Sequence, residues 1–143
     1  MWIPVIVGAS IFLVLGLAHT FFTATSHPDG GPMMPLDPEL RAMMQVPSGT
    51  GLAPSLSVGM YPAWIGFNFS HSLGMVVSGP GIGIPAIADF DGAVSNLGYL
   101  ALAFVVPGLY LGISVRYWFE KPTIGISIGL VLIWVGVVGG LVS

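Results

Sequence analysis

Residues 3–22 read IPVIVGASIFLVLGLAHTFF, and only Ser10, His19 and Thr20 in this run carry polar side chains. A helix that crosses the hydrocarbon core of a bilayer needs about 20 predominantly apolar residues, which this run supplies. A signal peptide is the rival interpretation, but the segment lacks a positively charged start and its apolar run is too long. The first stretch of the chain therefore predicts a transmembrane helix.

The composition of the whole chain agrees with a membrane environment. Of its 143 residues, 55% are hydrophobic and only 6% are charged, whereas soluble domains carry about 25% charged residues. Such a chain cannot cover a surface that faces water. We therefore expect the protein to be surrounded by lipid or by partner subunits, and three Lys or Arg residues give no nucleic-acid binding surface.

Three further apolar segments predict membrane spans. The second span is expected to end near Val77, because the sequence SGPGIGIP that follows should break the helix. Asp89 or Asp91 is expected to cap the third span, and Pro107 lies inside it. With the first span at 3–22, the predicted spans are 61–78, 93–117 and 123–142.

Residues 23–60 form a polar loop that contains a short helix signature, LDPELRAMMQ. Asp37 is the expected N-cap, Pro38 the first helical residue and Glu39 an acidic residue in the first turn. We expect a short interfacial helix over residues 38–45. The predicted fold is therefore an all-α membrane protein, a single transmembrane domain over residues 1–143. Its four-transmembrane-helix bundle carries the interfacial helix between helices 1 and 2.

The positions of the basic residues predict the orientation. Arg41, Arg116 and Lys121 all lie in the first and third loops, while the second loop contains only Asp89 and Asp91. Cytoplasmic loops carry the excess of Lys and Arg in multi-pass membrane proteins. We therefore expect loops 23–60 and 116–122 in the cytoplasm and both termini outside.

The second span contains an unusual group of polar residues, in the stretch WIGFNFSHSLG at residues 64–74. On a helix, Asn68, His71, Ser72 and Met75 fall on one face. Asn and His side chains that bond across membrane helices contribute about 0.6–2 kcal/mol and set the register of the helices. The structural interpretation is that these groups join helices, with partners among Ser95, Asn96, Tyr99 and His19.

The alternative interpretation is a binding site on the same face. His71, His19 and Asn68 are the candidate cofactor-binding residues, because two histidines can bind haem iron between membrane helices. His71 lies about 10–15 Å from the end of its helix and His19 about 5–9 Å from the same boundary, so the two depths barely meet. A quinone, a lipid headgroup or a proton relay through His71 are further alternatives.

Small residues at four-residue spacing predict close packing between helices or subunits, because lipid gives helices little hydrophobic reason to associate. The second span carries the longest such ridge, and the first span has Gly8 and Gly16 two turns apart. The predicted packing residues are Gly66, Ser70, Gly74 and Ser78 on the second span, Gly108 and Gly112 on the third, and Gly125 and Gly129 on the fourth.

No enzyme motif is found in the sequence. There is no cysteine, no paired carboxylate within a span, no H-E-x-x-H and no phosphate-binding glycine loop. No catalytic residue, metal site or cofactor is therefore predicted, although haem is kept as an alternative.

The stretch WIGFNFSHSLG, with LDPELRAMM before it and RYWFEKPTIGI before the last helix, resembles a family of small bacterial inner-membrane proteins. These proteins carry the motif W-x-G-F-N-x-S-H-S-L-G on the second of four helices and have no assigned activity. The chain is more loosely similar to DoxX-type four-helix proteins. The resemblance implies a location in the bacterial inner membrane and adds no chemistry.

These observations together predict a non-catalytic accessory or structural subunit of a larger membrane complex. The expected partners are the lipid bilayer and other membrane subunits. The alternative function is a haem-, quinone- or lipid-binding four-helix protein that uses the face of Asn68 and His71.

Overall fold

A computed structural model describes residues 2–46, 59–118 and 120–143. Residues 47–58 of the predicted loop 23–60, and Phe119 within the predicted loop 116–122, lie outside the described residues. The described residues form six helices: α1 (Trp2–Ala24), α2 (Pro38–Gln45), α3 (Met60–Ala88), α4 (Phe90–Val94), α5 (Leu97–Tyr117) and α6 (Glu120–Leu141).

Four of these helices, α1, α3, α5 and α6, are long and apolar enough to cross a membrane. This confirms the prediction of an all-α fold with four such helices. The short helix α2 begins after Asp37, whose carboxylate accepts hydrogen bonds from the N–H groups of Glu39 and Leu40. The position of α2 at a membrane interface stays a prediction.

α3 continues past the point at which the sequence predicted its end. The predicted second span stops at residue 78, but the helix runs on through Pro80 and Pro85 to Ala88. A proline inside a helix in water costs about 3 kcal/mol, since it removes one hydrogen bond and clashes with the preceding turn. In lipid, an unwound segment would leave several backbone groups without a hydrogen-bond partner, because water is absent. A continuous helix that lacks only the two hydrogen bonds of its prolines costs less free energy.

The third span also begins differently from the prediction. Asp89 caps the short helix α4 through the N–H of Gly92 (3.0 Å), not the long helix. α5 begins at Leu97, and its N-cap is Asn96, whose side-chain oxygen accepts from the N–H of Tyr99 (3.1 Å). Asn and Asp are both strong N-caps. The residue type alone therefore does not show whether Asp89 or Asn96 caps the long helix.

The chain divides into two compact units, which are described separately. The first unit contains residues 1–16 and 74–143, and the second contains residues 17–73. α1 and α3 each contribute residues to both units. The prediction of one transmembrane domain stays a prediction.

Glycines bring the helices of the first unit into backbone contact. A Cβ built on Gly8 would lie 2.5 Å from the carbonyl oxygen of Gly129, and one on Gly79 would lie 2.8 Å from that of Ala9. Larger side chains would therefore separate α1 from α6 and from α3. The fully buried apolar side chains around these contacts are Val5, Phe12, Ile82, Ile126, Ile133 and Val137.

In the second unit, hydrogen bonds fold the segment after α1 onto both helices. The buried Ser26 hydroxyl donates to the carbonyl of Phe22 (2.8 Å) and accepts from the N–H of Met33 (2.9 Å). Gly31 has a φ of 135° and lies against Ser26, so only glycine suits this turn. The indole N–H of Trp64 on α3 donates to the carbonyl of Met33 (2.8 Å).

The close contact at Gly8 predicts that Gly8→Ala destabilises the protein by about 1–3 kcal/mol, the usual penalty of overpacking. Gly112→Ala is the matched control, because a Cβ on Gly112 has open space around it. Alanine there should be neutral or stabilising, by up to about 1 kcal/mol. The measurement is the unfolding midpoint in mixed detergent micelles, and equal midpoints for the two variants would contradict the packing described here.

Candidate functional site

α1 and α3 bring together His19, Asn68, His71 and Ser72, all of which lie in the second unit. His19 Nε2 lies 3.0 Å from the side-chain oxygen of Asn68. The amide nitrogen of Asn68 donates in turn to the carbonyl of Trp64 (2.8 Å). Because that bond requires the nitrogen, the oxygen of Asn68 faces His19, and the His19 bond requires a proton on Nε2.

A second bridge of the same design lies one residue further along α1. The Thr20 hydroxyl donates to the Ser72 hydroxyl (3.0 Å), and Ser72 donates to the carbonyl of Phe69 (3.0 Å). Ser72 is 0% and Asn68 is 3% exposed. Each bridge therefore starts on α1, passes through a buried side chain of α3 and ends on a carbonyl of α3.

His71 lies beside these bridges and contacts two other rings. Its ring centre lies 4.4 Å from that of His19, with an angle of 53° between the planes, and 5.6 Å from that of Phe67. The structure thus brings together His19, Asn68 and His71, the three residues predicted as a possible cofactor site. His19 contacts both of the others.

The meeting of His19 and His71 differs from the expectation that the two residues lie at different depths. That expectation assumed that the neighbouring ends of α1 and α3 are level. In the structure the first turns of α3 run beside the segment that follows α1, where Tyr61 donates to the carbonyl of Ser26 (3.4 Å). α3 therefore extends beyond the end of α1, and His71 is brought down to the level of His19.

The other predicted partners of the polar face make different bonds, all within the first unit. Asn96 caps α5, Ser95 donates to the carbonyl of Asp91 (2.7 Å), and Tyr99 donates to the carbonyl of Ile82 (3.2 Å). Among the partners considered from the sequence, His19 is therefore the one that bonds to Asn68.

The ridge of small residues on α3 does not stay on one side of the helix. Four residues advance about 40° beyond a full turn, so the ridge winds around α3. Gly66 and Ser70 are exposed, Gly74 is half-buried and would meet the Tyr110 hydroxyl if it carried a Cβ, and Ser78 is buried.

The predicted small residues on α5 and α6 also have different surroundings. A Cβ on Gly125 or Gly129 would lie 3.0 Å from Leu15 or Phe12 respectively, so both contact α1. Gly108 has ordinary space next to Trp134, and Gly112 is open. Their role between subunits stays a prediction.

Two hydroxyl residues in or beside the bridges were not among the predicted site residues. Thr20 supplies the second bridge, and the buried Thr23 donates to the carbonyl of His19 (2.8 Å). The sequence pattern that indicates them is the stretch HTFFT at residues 19–23. Its polar residues His19 and Thr23 are four residues apart, next to the end of the first span.

The two bridges join α1 to α3 by hydrogen bonds between side chains. The donors of both bridges are directed at oxygen atoms, and no carboxylate lies among the bridging residues. Within the described ranges, no three His, Asp or Glu side chains are grouped in a way that could hold a metal ion.

Comparison with protein-family models, curated proteins and solved structures gave no match to this chain. Membership of the family that the sequence resembles therefore stays a prediction.

The first bridge predicts a measurable coupling between His19 and Asn68. In a double-mutant cycle with His19→Ala and Asn68→Ala, we expect about 0.6–1.7 kcal/mol of coupling, the range for hydrogen bonds between membrane helices. The measurement is the free energy of unfolding in mixed detergent micelles.

The matched control is a cycle between His19 and Ser70, because Ser70 is exposed and donates to the Phe67 carbonyl of its own helix. That cycle should show coupling near zero. Equal coupling energies in the two cycles would contradict the role of the bridge.

Proposed function

We propose that this protein is a non-catalytic structural subunit of a larger membrane assembly. The observation that carries the proposal is that the polar groups of α3 bond to α1 of the same chain and to backbone carbonyls. Asn68 and Ser72 make the two bridges. The polar face that would be the natural ligand site thus serves to hold two helices in a fixed register.

The outer face of α3 supports contact with a neighbouring helix. Gly66, Ser70, Leu73 and Val77 lie on one exposed stripe, and a Cβ on Gly66 would contact nothing within 4 Å. Small residues let membrane helices approach closely. A helix of another subunit can therefore pack against this stripe without moving any part of this chain.

The positions of Arg41, Arg116 and Lys121 support a multi-pass arrangement with loops 23–60 and 116–122 in the cytoplasm. Leu36, Leu40 and Met43 near or on α2 are 95%, 47% and 60% exposed, which suits a helix resting on a membrane surface. We propose that the protein lies in the bacterial inner membrane. The predicted orientation places both termini outside.

The geometry gives less support to a haem held by His19 and His71. Two imidazole nitrogens on opposite sides of a metal are each about 2 Å from it, which places the ring centres about 6 Å apart. The two rings are 4.4 Å apart, and Nε2 of His19 already bonds to Asn68. Both side chains would have to leave these positions to bind iron. A quinone or lipid would similarly have to displace the bridges.

The first test is the size of the intact particle. The tagged chain is extracted from its own membrane with a mild detergent and analysed by native mass spectrometry. We expect a particle that contains other membrane chains. A monomer, with or without a bound small molecule, would contradict the proposal.

Gly66→Leu tests whether the exposed stripe of α3 makes the contact, and Ser10→Leu on the exposed side of α1 is its control. We expect Gly66→Leu to release the partner chains and Ser10→Leu to retain them.

The second test addresses the haem alternative directly. The visible spectrum of the gently purified protein should show no Soret band that depends on His71. A Soret band that disappears in His71→Ala would support the binding-protein alternative instead.

A further inference from the structure

The first unit contains a groove of about 500 Å³ where α3 ends and α5 begins. Its apolar part is lined by Gly81, Pro85 and Leu102, and its polar end by Asp89, Asn96 and Gly98. At 1.5 Å per residue, Gly81 lies about 10 Å before the end of α3. The groove therefore passes from the end of the spans toward the interior of the apolar region.

The polar end of the groove has opposite partial charges on its two sides. The C-terminus of α3 carries the partial negative charge of a helix end, and the carboxylate of Asp89 adds a full charge beside it. The N-terminus of α5 carries partial positive charge, and the N–H groups of Leu97 and Gly98 lie in its first turn, where no intrahelical acceptor exists. The segment 86–99 contains two carboxylates and no Lys or Arg.

We infer that this groove binds a phospholipid with a primary ammonium headgroup. The ammonium group binds Asp89 and the C-terminal carbonyls of α3, the phosphodiester lies at the first turn of α5, and an acyl chain fills the apolar part. The positive ammonium group thus faces the negative end of α3, and the negative phosphodiester faces the positive end of α5. The inference rests on the groove and does not depend on the proposed subunit function.

The lining favours a primary ammonium group over other headgroups. Quaternary ammonium groups are recognised by cages of aromatic rings, and the described lining offers one ring, Tyr99, whose hydroxyl donates to the carbonyl of Ile82 (3.2 Å). An anionic headgroup without an ammonium group would face the carboxylate of Asp89. A volume of about 500 Å³ lies within the usual range of about 300–1,000 Å³ for small-molecule sites.

Native mass spectrometry of the intact protein tests the inference. The protein is reconstituted with equal amounts of phosphatidylethanolamine, phosphatidylcholine and phosphatidylglycerol, and the retained lipid is counted. The wild type should retain phosphatidylethanolamine preferentially. Asp89→Asn should lower that preference about tenfold, the effect of one charge-assisted hydrogen bond.

Two further variants separate a specific site from a general charge effect. Asp91→Asn removes a charge of the same segment from a residue that does not line the groove, and it should keep the wild-type preference. Ala88 also lines the groove, so Ala88→Phe retains Asp89 and should lower retention of the lipid by filling the groove. Asn is as good an N-cap as Asp, so Asp89→Asn should fold normally. If Asp89→Asn is nevertheless less stable, the retention of lipid by Ala88→Phe tests the groove without changing Asp89.

Equal retention of the three lipids by the wild type would overturn the inference. An equal loss in Asp89→Asn and Asp91→Asn, or full retention in Ala88→Phe, would do so as well.

Discussion

The hydrogen bond from His19 to the buried Asn68 joins α1 to α3, and the arrangement of these two helices in the second unit depends on it. A polar side chain in hydrocarbon must find a partner, and each unsatisfied group costs several kcal/mol. Asn68 cannot rotate toward lipid without exposing its amide. The bond therefore determines which face of α3 is directed at α1, and the parallel bond from Thr20 to Ser72 determines the register.

The same rotation of α3 determines what remains on its outside. With Asn68 and Ser72 against α1, the opposite face presents Gly66, Ser70 and Leu73. The bridges thus determine which stripe of α3 is available to a neighbouring helix, because residues about 180° apart on a helix lie on opposite faces. The bridges to α1 and the exposed stripe for a neighbouring helix are thus two faces of the same helix, α3.

The sequence predicted the four long helices well, because length and apolar composition are what a membrane span requires. It also predicted α2 with Asp37 before it, since capping is a local interaction. It did not predict the course of α3 through Pro80 and Pro85, because proline usually ends a helix in water, where the freed backbone groups can bond to solvent.

The candidate site was predicted only in part. The polar face of the second span is a local feature and was recognised, but the partner of Asn68 depends on how far α3 extends past the end of α1. That offset arises from long-range bonds such as the one from Trp64 to Met33, which no local pattern reveals. The role of Thr20 was missed for the same reason, as was the winding of the small ridge from Gly66 to Ser78.

The most direct test of the central claim is solid-state NMR of the chain in lipid bilayers with labelled histidine and asparagine. Only three histidines are present, so their ring nitrogens can be assigned individually. The bridge predicts that His19 carries its proton on Nε2 and that this nitrogen is close to the side-chain carbonyl of Asn68. A His19 protonated only on Nδ1, or one without contact to Asn68, would contradict the account.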